Sequence, residues 1–581
     1  MLKESLINQN LTQDFSMIIL GIHDGHNSGA TLLKNGVIVS SILEERITRT
    51  KNEVGYPENS INEVLKISNV KKEEIDFVCY SSNFMHSKDH LQNISDWYNV
   101  GVDDQRRDKL QDSSYKKVVF EQRKTERINQ VVNQLKCSSD KIRFYDHHTC
   151  HAAAAYYGSH YSFEDKVLVL TVDGAGDGLC STVSIGHKGK LKRIASTDRK
   201  ASLGKIYSRI TYLLGFKPWE HEYKIMGMSP YADKSRSDKL LKIFEDLISI
   251  DKNNPLVFTN NSELETNYIY QYLKEKLERA RFDEVSRAIQ TFTENLVSNW
   301  VNNCINETKI NKVALGGGVF MNVKANQIIS NLKSVEDIFV FPSCGDESLS
   351  LGACWLHYYR SMRKKTEIKN IYLGGDYSNT SINKEIEDYN FSSKIKVEKH
   401  REVELEIAKK LSENKVVARF SGKMEWGARA LGNRSILANP SSWQNVEKIN
   451  SMIKMRDFWM PFAPSIIFED HKKYLINEKN LFSPYMMLAY DTTKIAEKEI
   501  SAAVHPRDKT ARAQLVTEKI NPKYHLLIKH FKALTGISAV LNTSFNLHGY
   551  PLVYKPKDAL YVFDKSGLDY LAINDYLISK Q

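Results

Sequence analysis

The chain has 581 residues, 41% of them hydrophobic and 26% charged, and carries a net charge of +11. That length exceeds a single core and predicts two large domains. The longest apolar runs, such as 167–172, are strand-sized, so no segment is expected to span a bilayer.

Residues 1–16 are polar and lack a signal-peptide core, and read as a tail. The lysines and arginines are scattered, with no basic arm or stripe. The surplus therefore reads as an ordinary surface plus anionic small substrates, and no nucleic-acid partner is expected. Seven cysteines with no C-x-x-C pair argue against a disulfide framework and a thiolate zinc site, and fit a reducing, cytoplasmic setting.

The first ordered segment, MIILGIHDGHNSGATLLKNGVIVSSILEER, reads strand, turn, strand, with Asn35 and Gly36 as a hairpin signal. The segment KVLVLTVDGAGDGLCSTVSIGHKGKLKRI repeats that plan, a duplication of architecture more than of sequence. Two such units, each with a polar turn after a strand, predict an α/β domain of the actin and sugar-kinase type over 17–365. Residues 83–136, charged and poor in Gly and Pro, predict a helical insertion near the cleft. A long amphipathic helix is expected over 286–305, then a third Gly turn in KVALGGGVFMN. A second α/β domain is expected over 366–581, where VELEIAKKLSEN alternates with strands such as KVVARF and SAVLNTSF.

Several motifs carry chemistry. In DHHTCHAAAAYYG the Ala-rich tail predicts a helix, which puts His147 and His151 four apart on one face, close enough to share a metal. Asp173 in TVDGAGDG and Asp346 in FPSCGDESLSLG are the acidic candidates to join them, while His148 points elsewhere. Gly174, Gly176 and Asp177 form a turn that lets backbone approach an anion, and Gly316, Gly317 and Gly318 with Asn322 could hold a nucleotide or form a plain tight turn. His26, in HDGHNSGA, is a candidate general base at the mouth of the cleft. Further on, FSGKMEWGARALGNRSI places Lys423, Arg429 and Arg434 within one short stretch. Lys454 and Arg456, Arg512, and the LNTSFNLHG residues Asn542, Thr543, Ser544 and Asn546 follow, a set suited to a phosphorylated ligand.

Together these motifs resemble the carbamoyltransferase family of nodulation and antibiotic O-carbamoyltransferases, which act on tobramycin, cephem and ansamycin compounds. The likeness runs from HNSGATLL and EERITRTK through GFKPWEHEYKIMGMSPYA and CGDESLSLGA to GKMEWGARALGNRSILANP, FWMPFAPS, TARAQ and LNTSFNLHG. The resemblance implies an actin-like N-terminal domain and a YrdC-like C-terminal domain. It implies that the latter makes carbamoyl-adenylate from carbamoyl phosphate and ATP, with Mg2+, and that the former transfers the carbamoyl group to a small-molecule hydroxyl. It implies an iron-type divalent metal on His147, His151, Asp173 and Asp346, and His26 as base. Nucleotide contacts would come from Gly174, Gly176, Asp177, Lys224, Gly316, Gly317, Gly318 and Asn322. Donor contacts would come from Lys423, Arg429, Arg434, Arg456, Arg512, Asn542 and Ser544.

Three departures stand out. Asn27 follows His26 where the family commonly has Asp, Asn52 follows Lys51 where it usually has His, and LNTSFNLHGYP carries His548 and Tyr550. The acceptor is expected between the His26 turn and the insertion, in a chain that is a monomer or homodimer. A tRNA threonylcarbamoyl-type enzyme and a non-catalytic nucleotide-binding regulator are the competing readings.

Overall fold

The computed structural model describes residues 16–92, 113–362, 365–366 and 368–581. Its first sheet is built on β1 (Ile18–His23), β2 (Gly29–Lys34), β3 (Val37–Leu43), β4 (Phe77–Tyr80) and β5 (Ile142–Phe144), in the order β3-β2-β1-β4-β5. β1 is buried along its whole length, as its unbroken apolar run requires of a central strand. It pairs antiparallel with β2 and parallel with β4. Asn35 and Gly36 both take positive φ, at 52° and 84°, which closes the β2–β3 hairpin with the twist that flanking strands favour.

After β6 (Val167–Gly176), β7 (Leu179–His187) and β8 (Lys190–Asp198), a short hairpin forms from β9 (Ile248–Ile250) and β10 (Phe258–Asn260). β11 (Lys312–Gly316) and β12 (Asp337–Val340) then complete a second five-stranded sheet, in the order β12-β11-β6-β7-β8. The pairing senses repeat those of the first sheet: β6–β7 and β7–β8 antiparallel, β6–β11 and β11–β12 parallel. The duplication expected from the sequence is therefore present strand for strand. In each repeat the fifth strand leads into a helix, His147–Tyr157 in the first and Leu349–Tyr358 in the second. These two helices pack on each other between the sheets, which the fully buried Ala152–Ala155 run permits.

The long helix expected over 286–305 is Phe282–Thr308. Within the insertion, Lys88–Gln92 and Ser113–Leu135 are helical, while 93–112 lie outside the described residues. The longer helix is pinned to the first turn of the chain by Arg127. Its Nε and Nη2 donate to Asp24 at 2.8 and 2.9 Å, and its guanidinium stacks over Tyr80 at 4.3 Å.

The C-terminal half forms an eight-stranded mixed sheet from β13 (Ile395–Lys399), β14 (Val417–Phe420), β15 (Arg434–Ala438), β16 (Ala463–Ile467), β19 (Gln514–Val516), β20 (Ala539–Ser544), β21 (Tyr570–Ile573) and β22 (Tyr576–Lys580). A two-stranded pair, β17 (Tyr490–Asp491) and β18 (Thr510–Ala511), stands apart from it. Helices Val403–Ser412 and Pro522–Thr535 share one core with Val417 and Leu437. Helices Asn379–Asp388 and Pro556–Asp564 share another with Ala418, Ile436 and Ala438, as strand alternation dictates.

The two halves are tied by polar contacts. Arg46 donates to the Gly427 carbonyl at 2.8 Å, Arg49 to those of Leu552 at 2.6 Å and Pro551 at 2.9 Å, and Lys224 lies 3.0 Å from Asp457. All seven cysteines are free, and no helix among the described residues is long and apolar enough to cross a membrane.

Arg127 and Asp24 are 0% and 2% exposed. Arg127→Ala would leave a carboxylate buried without its partner, which costs about 3–5 kcal/mol. The variant is expected to unfold several degrees below wild type in a thermal melt. An unchanged melting temperature would contradict this role.

Candidate active site

Four ligating side chains converge where the repeats meet. Asp146 caps the His147–Tyr157 helix by accepting the Thr149 N–H at 2.8 Å, which fixes the first turn that presents His147 and, one turn on, His151. Asp173 lies near the end of β6, and Asp346 precedes the second repeat's helix. One ligand atom from each of these four residues lies within 4.8 Å of the others, and all four residues are buried. His147 Nε2 is 3.3 Å from Asp173 Oδ2 and 3.6 Å from Asp346 Oδ1, and His151 Nε2 is 3.5 Å from Asp346 Oδ1.

Glycine makes this approach possible. A Cβ on Gly176 would stand 2.1 Å from the His147 ring. Gly318 donates its N–H to Asp173 Oδ1 at 2.9 Å and so orients that carboxylate.

The donor set could hold a metal ion. Ser348 Oγ donates to the Gly345 carbonyl at 2.8 Å, so its 3.3 Å contact with His151 is an acceptance from Nδ1–H. That tautomer turns the Nε2 lone pair toward the cage, where Nε2 and Asp346 Oδ1 are buried without a hydrogen-bond partner. Two neutral-capable imidazoles with two carboxylates is a donor set suited to a divalent transition metal. The electrostatics agree. Burial alone would depress His147, but Asp346 and Asp173 outweigh it and lift its pKa to about 9. Burial opposes the charge on Asp346, yet His26, His147, His151 and His23 hold its carboxyl well below the usual range. The cage is thus a site that draws positive charge. His148 turns away, bonded to Thr171 Oγ1 at 2.9 Å and the Leu179 carbonyl at 3.1 Å.

His26 Nε2 lies 3.2 Å from Asp346 Oδ2. Beside it, Asn27 and Asn52 both take φ of 55°, a conformation Asn tolerates, and Asn27 N–H donates to Asn52 Oδ1 at 3.1 Å. A cavity of about 1270 Å³ extends from His26, His147, Asp173 and Asp346 to Arg429, Lys454, Arg456, Arg512, Ser544 and Asn546 in the C-terminal half.

At that far end positive charge is concentrated. Lys454 Nζ is held only by neutral oxygens, those of Ser544 at 3.0 Å and Asn546 at 2.7 and 3.2 Å. Arg456 donates to the Pro461 carbonyl and Thr543 Oγ1, both at 3.0 Å, and Arg429 Nε is buried without a partner. Burial, then Arg429 and Arg456, disfavours the charge on Arg512. An anion entering here would relieve that repulsion.

Not every expected residue faces the cavity. Lys423 is exposed outside it. Arg434 is fully buried, donating to the Ser421 and Gly422 carbonyls at 3.0 and 3.1 Å and stacking on Phe420 at 3.6 Å. Asn542 spans strands, donating to Ser465 Oγ at 3.1 Å and Gln514 Oε1 at 3.3 Å. Of the residues expected to contact a nucleotide, Gly174, Gly176, Asp177, Lys224, Gly318 and Asn322 line the cavity, while Gly316 and Gly317 do not. Asp177 accepts the N–H groups of His147, Asn83 and Phe84 at 2.9, 2.9 and 3.0 Å, which holds the entry to the insertion. Asn322 caps the helix Val323–Asn331.

Sequence reasoning missed Lys205 and Trp219, which also line the cavity. Burial lowers the Lys205 pKa to about 7. Ser202 before LGKIYS was a readable helix cap that would have put Lys205 in a first turn.

Residues 18–355 match the carbamoyltransferase N-terminus family and 408–580 the carbamoyltransferase C-terminus family. An uncharacterized protein of Methanocaldococcus jannaschii is 33% identical over 97% of this chain and all of its own length. Nodulation protein NolNO of Sinorhizobium fredii is 27% identical over 96% of this chain and 79% of its own. The 3'-hydroxymethylcephem-O-carbamoyltransferase of Amycolatopsis lactamdurans is 26% identical over 45% of this chain and 47% of its own. With both halves matched in order and a relative aligned end to end, this chain belongs to the carbamoyltransferase family.

Proposed function

We propose that this protein is an ATP-dependent O-carbamoyltransferase that carbamoylates a hydroxyl of a small molecule. The observation that carries the reading is the single cavity with an arginine and lysine cluster at one end and the His/Asp cage at the other. The duplicated sheets support an actin-like N-terminal domain, and the mixed sheet of the C-terminal half is read as the YrdC-like domain, with the boundary near residue 366.

In this reading the basic cluster receives carbamoyl phosphate and ATP, the latter with Mg2+. Water hydrolyses carbamoyl phosphate to carbamate and phosphate. A carbamate oxygen attacks the α-phosphorus of ATP, pyrophosphate leaves, and carbamoyl-adenylate forms. Arg429, Arg456, Arg512 and Lys454 bind the anionic groups and offset charge as it develops. The adenylate then crosses the cavity to the N-terminal end, out of bulk water.

There the acceptor hydroxyl attacks the carbamoyl carbon, His26 takes its proton, and AMP leaves with the carbamoyl–phosphate C–O bond broken. His147, His151, Asp173 and Asp346 would hold a divalent metal, iron in the family's pattern, which supplies Lewis-acid stabilisation of charge on the departing phosphate. Lys205, beside the Asp173 turn, lines the cavity on the same side. The acceptor enters between the His26 turn and the start of the insertion, where Phe84, Met85, His86 and Leu91 line the cavity.

Protein purified without chelator is expected to carry about one transition metal per chain by elemental analysis, as a single closed donor set requires. The double variant His147→Ala, His151→Ala should lose it; retained metal would contradict the assignment. The half-reactions should also separate by end of the cavity. Arg512→Ala is expected to abolish pyrophosphate release from ATP and carbamoyl phosphate, while His26→Ala keeps one pyrophosphate per chain but stops turnover. Equal loss in two folded variants would count against a divided site.

A further inference from the structure

We propose that Trp219 is a positioning residue that sets the plane of His26. The inference rests on the reading of His26 as the base, and adds what holds that base in place. The indole of Trp219 lies flat against the His26 imidazole, with ring centroids 5.0 Å apart and planes 11° from parallel. Both side chains line the cavity, so the stack stands at the site rather than in a core.

The need for a restraint is visible in the contacts of His26 itself. Its Nε2 meets Asp346 Oδ2 at 3.2 Å, but its Nδ1 is buried without a hydrogen-bond partner. A ring held at one nitrogen can pivot about that contact. A parallel aromatic face blocks tilting of the imidazole out of its plane.

The backbone shows that the stack is imposed. Trp219 has φ of +66°, a left-handed conformation rare for a bulky aromatic residue. It is held there by its own N–H, which donates to Glu222 Oε1 at 2.7 Å. Glu222 opens the helix Glu222–Met228, and Lys224 in that helix lies 3.0 Å from Asp457, next to Arg456 of the basic cluster. The element that aligns His26 is therefore anchored to the half of the protein where the donor is activated. Strain of this kind persists where the surroundings over-determine a conformation, and is concentrated at functional sites.

The test uses the full chain with ATP and carbamoyl phosphate, and water as the acceptor, following the pyrophosphate burst and AMP release in Trp219→Leu, Trp219→Phe and His26→Gln. Trp219→Leu is expected to keep the burst and slow AMP release about 10- to 100-fold, the scale of a displaced catalytic group. Trp219→Phe, which restores a flat face, should recover to within about 3-fold. In the same variants the His26 ring protons, assigned by their loss in His26→Gln, should lose their upfield ring-current shift in Trp219→Leu and keep most of it in Trp219→Phe. Unslowed AMP release in Trp219→Leu where His26→Gln is slow would overturn the inference, as would loss of the burst together with AMP release, or His26 resonances that do not move. If His26→Gln itself releases AMP at the wild-type rate, the reading of His26 as base fails, a result distinct from any of these.

Discussion

A buried carboxylate, that of Asp346, is the point on which the rest of the site depends. It is 5% exposed, and four imidazoles approach it: His26 at 3.2 Å, His151 at 3.5 Å, and His23 and His147 at 3.6 Å. A charge withdrawn from water must be compensated locally, and here the compensation is drawn from two parts of the chain. His23 ends β1 and His26 lies in the turn after it, His147 and His151 come from the first repeat's helix, and Asp346 itself stands just before the second repeat's helix. The duplicated fold brings the two helix starts together, so one carboxylate serves both repeats. Asp173 joins from the opposite side, oriented by the Gly318 N–H. A metal ion held by four of these groups and a histidine base beside them would compete for the same negative charge.

Much of this was legible in the sequence because it rests on local rules. The Asn35–Gly36 turn fixed a hairpin, and the recurrence of strand, Gly/Asp turn and strand announced the second repeat. Helical spacing put His147 and His151 on one face, and Gly-flanked aspartates marked Asp173 and Asp346. Side-chain direction within strands was less legible. Arg434 and Asn542 sit on β15 and β20, where a one-residue difference decides which face a group meets, and both are bound within the fold. Lys423 shares Arg434's stretch but is exposed to solvent. Long-range pairings escaped altogether. Nothing in GFKPWEHEYK says that its Trp will lie on a histidine almost two hundred residues earlier. Asp177, read as a nucleotide contact, holds three backbone N–H groups that only the folded chain brings to it.

The basic cluster at the far end of the cavity follows another logic. Arg456 and Lys454 are held by neutral oxygens and an aromatic face, and none of Arg429, Arg456, Arg512 and Lys454 makes a carboxylate ion pair among the described residues. Such an arrangement opposes folding unless an anion joins it, so it marks a site whose stability is shared with a ligand. Because Arg46, Arg49 and Lys224 lock the two halves together, the distance between that anion site and the cage is set by the fold. In the proposed reaction, a labile adenylate would then be used where it is delivered.

The central claim is that the activated carbamoyl group travels within this one cavity. A pulse of labelled carbamoyl phosphate with ATP, followed by a chase with excess unlabelled carbamoyl phosphate and rapid filtration, measures it directly. If the claim holds, the carbamoyl-adenylate formed in the pulse stays with the protein and is consumed there at the rate of AMP release. Labelled adenylate that appears in the filtrate and is diluted by the chase before AMP forms would contradict it.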